Sequence, residues 1–192
     1  MGKIGTLLTG LLCLLLTASA QTTVPLLAAK HNPLIDHNLS PHHNTLICPE
    51  HNASINPRSN WNINPQKNGL ISPEHVDQIN PAKNLSVNPV VNKDLNPMFI
   101  VSLSPRYELW KGLYLFDKDD GLAGYITRYS NDLMLEFDTT GEWRYFYVRT
   151  AKGTFNQFNL SGKWTGFFLC FDSVVGYNLF DKQGEWTGMH IK

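Results

Sequence analysis

Residues 56–65 read Asn-Pro-Arg-Ser-Asn-Trp-Asn-Ile-Asn-Pro, which is one eight-residue unit followed by the start of the next. Every proline of the chain lies on this eight-residue lattice, from Pro25 to Pro105, and none lies elsewhere. A period kept without a slip indicates a tandem array, and such a repeat decides the fold before weaker patterns are weighed. The sequence therefore predicts that residues 21–105 form an octad array.

Aligned on proline, the octads follow the consensus Pro-x-x-Asn-x-x-(Ile/Leu/Val)-(Asn/Ser). Asn-Pro and Ser-Pro pairs open turns, and a proline every eight residues forbids a helix of useful length. The unit is therefore predicted to be a turn followed by a short extended piece with one buried side chain. Two architectures fit this unit. One is a narrow solenoid with an internal apolar column and asparagine ladders, and the other is an extended stalk.

A second repeat follows the last proline, in residues 106–192. Its four copies span residues 115–124, 136–145, 157–166 and 179–188, and each places an Asp or Asn directly after a phenylalanine. Asp138, Asn159 and Asp181 are predicted to open turns, and a glycine three residues later suits a left-handed position. Each copy thus predicts a β-hairpin. Four hairpins predict an all-β antiparallel meander, as a small barrel, a sandwich or a single sheet.

The core pattern of this hairpin repeat is Phe-Asp-x-x-Gly-x-Trp-x-Gly. Over residues 113–192 it resembles the MORN-type β-hairpin repeat families, although their tyrosine-glycine pairs are absent here. The resemblance implies a surface for binding or scaffolding. The octads are not assigned to any family.

The first twenty residues have the pattern of a secretory signal peptide. Lys3 supplies a positive charge, residues 7–16 are mainly apolar, and Ala18-Ser-Ala20 offers a small-residue cleavage site. The apolar run is too short to span a bilayer. We expect the protein to be secreted, periplasmic or on the cell surface, without a transmembrane segment. Its formal net charge of zero argues against a nucleic-acid partner, whereas a polysaccharide or a surface protein stays open.

Export would leave Cys48 and Cys170 as the mature cysteines, in a compartment that permits disulfides. A Cys48–Cys170 bridge could join the octad array to the end of the chain. The alternative is that both are simply tolerated. Cys48 occupies an octad slot that Asn or Ser holds in most other octads, and Cys170 lies in an apolar strand.

Six of the seven histidines lie between residues 31 and 75, and histidine-rich tracts can bind metal. His43 and His51 hold the same octad slot. Because Lys67 and Lys83 fill that slot in other octads, it is interpreted as a solvated outer position. The sequence therefore predicts no metal and no other cofactor.

No nucleophile–base pair, paired carboxylates or convergent metal ligands are evident in the sequence. The leading hypothesis is a non-enzymatic protein, in which a repeat spacer carries a β-rich binding or assembly module. The first alternative is a carbohydrate-binding module that uses the repeat tryptophans Trp143, Trp164 and Trp186, with Trp61 as another contact. Packing in the core would equally explain large aromatic side chains at these positions. A β-fold hydrolase is the second alternative.

Overall fold

The computed structural model describes residues 28–151, 153–172 and 176–192. The signal peptide predicted at residues 1–20 and the start of the octad array lie outside them. Short 3₁₀ turns come first in the described chain, and β-strands follow. No helix in the described ranges is long and apolar enough to cross a membrane.

Eight antiparallel strands form a closed barrel in the C-terminal region. Each strand pairs with the next, and β1 pairs with β8. This closure confirms the predicted four-hairpin meander and selects the barrel among its three forms. It also leaves no sheet edge unpaired. The strands are β1 (Leu113–Phe116), β2 (Leu122–Arg128), β3 (Leu133–Asp138), β4 (Trp143–Arg149), β5 (Thr154–Phe158), β6 (Trp164–Phe171), β7 (Tyr177–Phe180) and β8 (Trp186–Ile191).

The hairpin turns have the predicted chemistry. Asp138 Oδ1 accepts hydrogen bonds from the backbone N–H groups of Thr140 at 2.9 Å and Glu142 at 3.0 Å. Asn159 and Asp181 make the same pair of bonds in their own turns. Gly141, Gly162 and Gly184 have φ values of +93°, +83° and +93°, in the left-handed region that favours glycine. The shared position of Asp138, Asn159 and Asp181 in the turn therefore explains why each of them is an Asp or an Asn.

Asparagine recurs in the octads because each side chain bonds twice. Asn60 Oδ1 accepts from the backbone N–H of Asn62 at 3.1 Å, and its Nδ2 donates to the carbonyl of Ser54 in the preceding octad at 2.7 Å. These bonds hold each turn and join it to its neighbour. The 3₁₀ turns are Ala29–His31 and, at eight-residue intervals, Ala53–Ile55, Trp61–Ile63, Gly69–Ile71, Asp77–Ile79, Leu85–Val87, Lys93–Leu95 and Val101–Leu103.

The octad segment, residues 28–105, packs on the outside of the barrel, and we call it the belt. Its branched residues Ile79, Val87 and Leu95 join the cluster that contains Phe137 and Phe158 on the outer faces of β3 and β5. The predicted solenoid or stalk is therefore not supported. One apolar residue per octad is too little for a separate core, and these residues are buried against the barrel wall instead.

Side chains of the barrel also donate hydrogen bonds to belt carbonyls. These carbonyls belong to the branched slot of the octad, so the same residue offers an apolar side chain and an acceptor to the barrel. The pairs are Asn156 with Ile63 at 2.8 Å, Asn178 with Leu39 at 3.1 Å and Thr127 with Leu103 at 3.1 Å.

The inner faces of the strands form a second apolar cluster. It contains a buried residue from every strand, which identifies it as the barrel interior. Both faces of the sheet are thus covered, one by the interior and one by the belt, which explains why successive residues in one strand are apolar. The interior residues are Leu115, Ile126, Met134, Tyr147, Phe155, Leu169, Tyr177, Leu179 and Ile191.

The belt meets the hairpin turns at intervals of three octads. Asn32 Nδ2 donates to Asp120 Oδ2 in the β1–β2 turn at 2.6 Å. Asn56 and Asn80, which follow at twenty-four-residue intervals, lie against Gly184 and Gly162 in the β7–β8 and β5–β6 turns. Three octads therefore lie between contacts with neighbouring hairpins, and the belt runs around the barrel against the strand order.

Replacing Gly184 by alanine should test this contact. A Cβ there would lie 2.8 Å from Asn56 Nδ2, which is itself bonded to the carbonyl of Pro49 at 3.0 Å. We expect Gly184→Ala to lower the free energy of unfolding by roughly 1–3 kcal/mol more than Gly141→Ala does, measured by urea denaturation. Gly141 is the matched control, since it has the same φ and its Cβ would come no nearer than 3.4 Å to another residue. Equal losses in the two variants would contradict the contact.

Candidate functional site

A cavity of about 360 Å³ lies at the end of the barrel interior that carries the predicted hairpin turns. We call it the barrel mouth. Six consecutive strands, β3 to β8, contribute residues to it, and four of the seven side chains are aliphatic or aromatic. The lining residues are Glu136, Tyr145, Gln157, Phe167, Leu179, Thr187 and Met189.

A chain of hydrogen bonds connects the polar side chains beside the mouth. Thr165 Oγ1 donates to Gln157 Oε1 at 2.9 Å, and Gln157 Nε2 donates to Tyr147 Oη at 2.9 Å. The Tyr147 hydroxyl then donates to Glu136 Oε2. Every donor in this chain is oriented toward Glu136, so the chain fixes the position of its carboxyl group.

Burial raises the pKa of Glu136 to about 7, although hydrogen bonds from Tyr147 and Gln157 oppose the shift. Burial also raises the pKa of Tyr147 well above its ordinary value, and the neighbouring Glu136 adds to that shift. Tyr147 therefore stays a neutral donor while Glu136 changes its charge near neutral pH. A carboxyl group so perturbed inside a concave, mainly apolar cavity is a candidate binding residue.

Sequence reasoning missed this site, although the repeat carried a signal. The residue before the repeated phenylalanine is Leu115, Glu136, Gln157 or Leu179 in the four copies. Strand alternation puts this slot on the face opposite the phenylalanine, which is the barrel interior. Glu136 and Gln157 are polar, although the same interior slot is leucine in the other two copies. This difference marks the position of the mouth.

The repeat tryptophans occupy equivalent places where the barrel meets the belt. Their indole N–H groups donate to backbone carbonyls, Trp143 to Tyr145 at 2.9 Å, Trp164 to Phe167 at 3.1 Å and Trp186 to Met189 at 3.1 Å. Trp143 is buried, whereas Trp164 and Trp186 are half-buried against the belt. The three do not form one exposed row. Trp61, on the belt, is 68% exposed.

Cys48 and Cys170 are both free and buried. The Cys170 thiol donates to the carbonyl of Ile55 in the belt at 3.7 Å. Burial raises the pKa of Cys170, and the proximity of Cys48 adds to the shift. The structure thus brings the two predicted partners near each other as thiols, and the disulfide itself stays a prediction.

Comparison with protein-family models, with curated proteins and with solved structures gave no match for this chain. The resemblance to MORN-type repeats accordingly stays a prediction.

Proposed function

We propose that this chain is an exported, non-enzymatic binding protein whose barrel mouth holds a small, mainly apolar molecule with one hydrogen-bond donor. The observation that carries the proposal is a fixed carboxyl group, that of Glu136, within a mainly apolar cavity at the end of the barrel. Glu136 is the acceptor for the polar group of the ligand, and Phe167, Leu179 and Met189 contact its apolar part.

The size and architecture of the mouth support this proposal. Its volume of about 360 Å³ falls within the range of small-molecule sites in proteins. Eight-stranded barrels have an interior that either fills with side chains or holds one small ligand. Tyr145 and Phe167 are 36% and 37% exposed, so the rim of the mouth is accessible from solvent.

The belt has a supporting role in this proposal. Its contacts cover the outward-facing aromatic residues of the barrel, whereas every side chain that lines the mouth belongs to the barrel. In this proposal the octads form a framework that packs on the binding module, whereas the leading sequence hypothesis made them a spacer that carries it.

The two alternative functions have less support. Carbohydrate modules need exposed aromatic faces, and the indoles of Trp143, Trp164 and Trp186 pack at the contact between belt and barrel. Glycoside hydrolysis needs two carboxyl groups across the substrate, and Glu136 is the one carboxyl group among the residues that line the mouth.

Fluorescence titration with N-phenylnaphthylamine, an apolar amine that brightens on leaving water, tests the proposal. We expect saturable binding to the purified protein. Phe167→Ala should weaken that binding about tenfold, because it removes an aromatic contact at the rim. Glu136→Gln should weaken binding of the amine more than it weakens binding of an apolar probe that has no hydrogen-bond donor.

Phe171→Ala is the matched control, since Phe171 is also an exposed phenylalanine of β6 and lies at the opposite end of the strand. It should leave the affinity unchanged. Binding that does not saturate, or that both phenylalanine variants weaken equally, would refute the proposal.

A further inference from the structure

Three metal-ligating side chains converge where two octads of the belt join, since Cys48 ends one octad and Glu50 and His51 lie in the next. The Cys48 thiol, a Glu50 carboxylate oxygen and a His51 ring nitrogen all lie within 4.8 Å of one another. Cys48 is buried, whereas Glu50 and His51 are exposed. This cluster is separate from the barrel mouth, and nothing in the binding proposal uses it.

The octad backbone holds these residues in one tight turn. The N–H groups of His51 and Asn52 both donate to the carbonyl of Cys48, at 3.1 and 2.9 Å. Asn52 Nδ2 donates to the carbonyl of Leu46 in the preceding octad at 2.8 Å, which fixes the turn in the belt. The exposed side chains of Glu50 and His51 are then free to rotate toward Cys48. Donor atoms around a tetrahedral zinc ion are roughly 3.5 Å apart, so closing the site needs a movement of about 1 Å.

The cluster lies in a pocket of about 320 Å³ between the belt and the β7–β8 turn. His42, from the preceding octad, and Glu185, from the barrel, also line this pocket. The His42 ring lies edge-on to Trp186 with 5.0 Å between ring centroids. The pocket therefore offers a fourth ligand from either side, and it has room for a bound ion with water.

We propose that Cys48, Glu50 and His51 bind a zinc ion, with the fourth position open to His42, Glu185 or water. A thiol, an imidazole and a carboxylate together form a donor set that zinc accepts and that calcium and magnesium, which prefer oxygen ligands, do not. With Glu185 as the fourth ligand, the bound ion would join the belt to the turn of the β7–β8 hairpin. Sequence reasoning excluded a metal because the histidine slot faces solvent, but exposure of His51 does not prevent it from meeting a buried cysteine.

A second Pro-Glu-His segment in the belt provides a comparison for this site. Residues 72–75 read Ser-Pro-Glu-His, whereas residues 48–51 read Cys-Pro-Glu-His. The two segments, each of which crosses the junction between two octads, thus differ by one sulfur in place of one oxygen. Cys48→Ser gives the first junction the segment that the second junction already has, so we expect this variant to fold.

Titration of the reduced, metal-free protein with Co²⁺ tests the proposal, because a cobalt–thiolate bond produces a charge-transfer absorption. We expect one equivalent of Co²⁺ to produce this band and Zn²⁺ to displace it. Cys48→Ser should abolish the band, and His51→Ala should weaken binding at least about tenfold. Affinity should also fall as the pH is lowered, since the thiol must lose its proton to bind.

Two controls separate this site from other sources of metal binding. His75→Ala removes the equivalent histidine of the Ser72–His75 segment and should leave the titration unchanged. Cys170→Ser removes the neighbouring thiol and should retain the band. A band that survives Cys48→Ser, or that is lost only in Cys170→Ser, would overturn the assignment, as would a full-length protein that gives no band after reduction.

Discussion

Replacing Phe158 by alanine should lower the free energy of unfolding by about 3–5 kcal/mol, as loss of a large buried aromatic side chain does. Phe158 has no exposed surface and stacks on Phe146 with 5.5 Å between ring centroids. Both rings belong to the cluster that includes Val87 of the belt. The large loss is expected because the belt makes the outer wall of the barrel into a core.

Urea denaturation at constant pH measures this loss. Phe171→Ala serves as the control, since Phe171 is 46% exposed and its removal should cost about 1 kcal/mol or less. If the belt did not cover the wall in solution, Phe158 would behave as a surface residue. Similar losses of stability in the two variants would therefore contradict the packing of the belt on the barrel wall.

Glu136→Gln should remove a pH dependence of stability that the protein otherwise has between about pH 4.5 and about pH 7. The pKa of Glu136 rises from 4.5 to about 7 on folding, because the carboxyl group is buried. The folded chain therefore binds this proton more tightly than the unfolded chain. The contribution of protonated Glu136 to stability is full below pH 4.5. As the pH rises to about 7, this contribution is lost and the free energy of unfolding falls by about 3 kcal/mol.

The difference between protein and variant isolates this contribution from the other titrating groups. Tyr147 on β4 and Gln157 on β5 are the polar groups that bond to the carboxyl, and both are neutral throughout this range. A glutamine side chain can accept the same hydrogen bond from Tyr147, so above pH 7 the variant should be the more stable protein. Glu142→Gln, which removes an exposed carboxylate from the β3–β4 turn, is the matched control for the loss of one carboxyl group. If the stability of Glu136→Gln had the same pH dependence as that of the unchanged protein, water would reach the Glu136 carboxyl group and its pKa would not be raised by burial.

Local rules were enough to predict the hairpins. The turn formed by Asp138 and Gly141 depends on a side-chain acceptor and a positive φ, and both depend on residue type alone. The same holds for the octad turns, where proline and asparagine fix the backbone. These elements were predictable because their stabilising contacts lie within a few residues of one another.

The barrel mouth and the zinc cluster were harder to predict, because each depends on contacts between distant parts of the chain. Glu136 meets Tyr147 and Gln157 only when three strands pair in one register. Cys48 and His51 are close in sequence, but the pocket that adds Glu185 exists only because the belt lies on the β7–β8 turn. The repeat marks Glu136 and Gln157 as polar residues in a leucine slot, but it does not show which side chains they contact.

The sequence by itself determined the repeat units, the turn in each octad and the number of strands, since each follows from short-range backbone preferences. Only the tertiary structure decided that the sheet closes and that the octads form a belt around it. The physical reason is burial: one branched residue per octad and one row of phenylalanines on the barrel wall are each too little apolar surface to remain apart. Together they form a second core, and the barrel interior keeps an opening at the end where Glu136 lies.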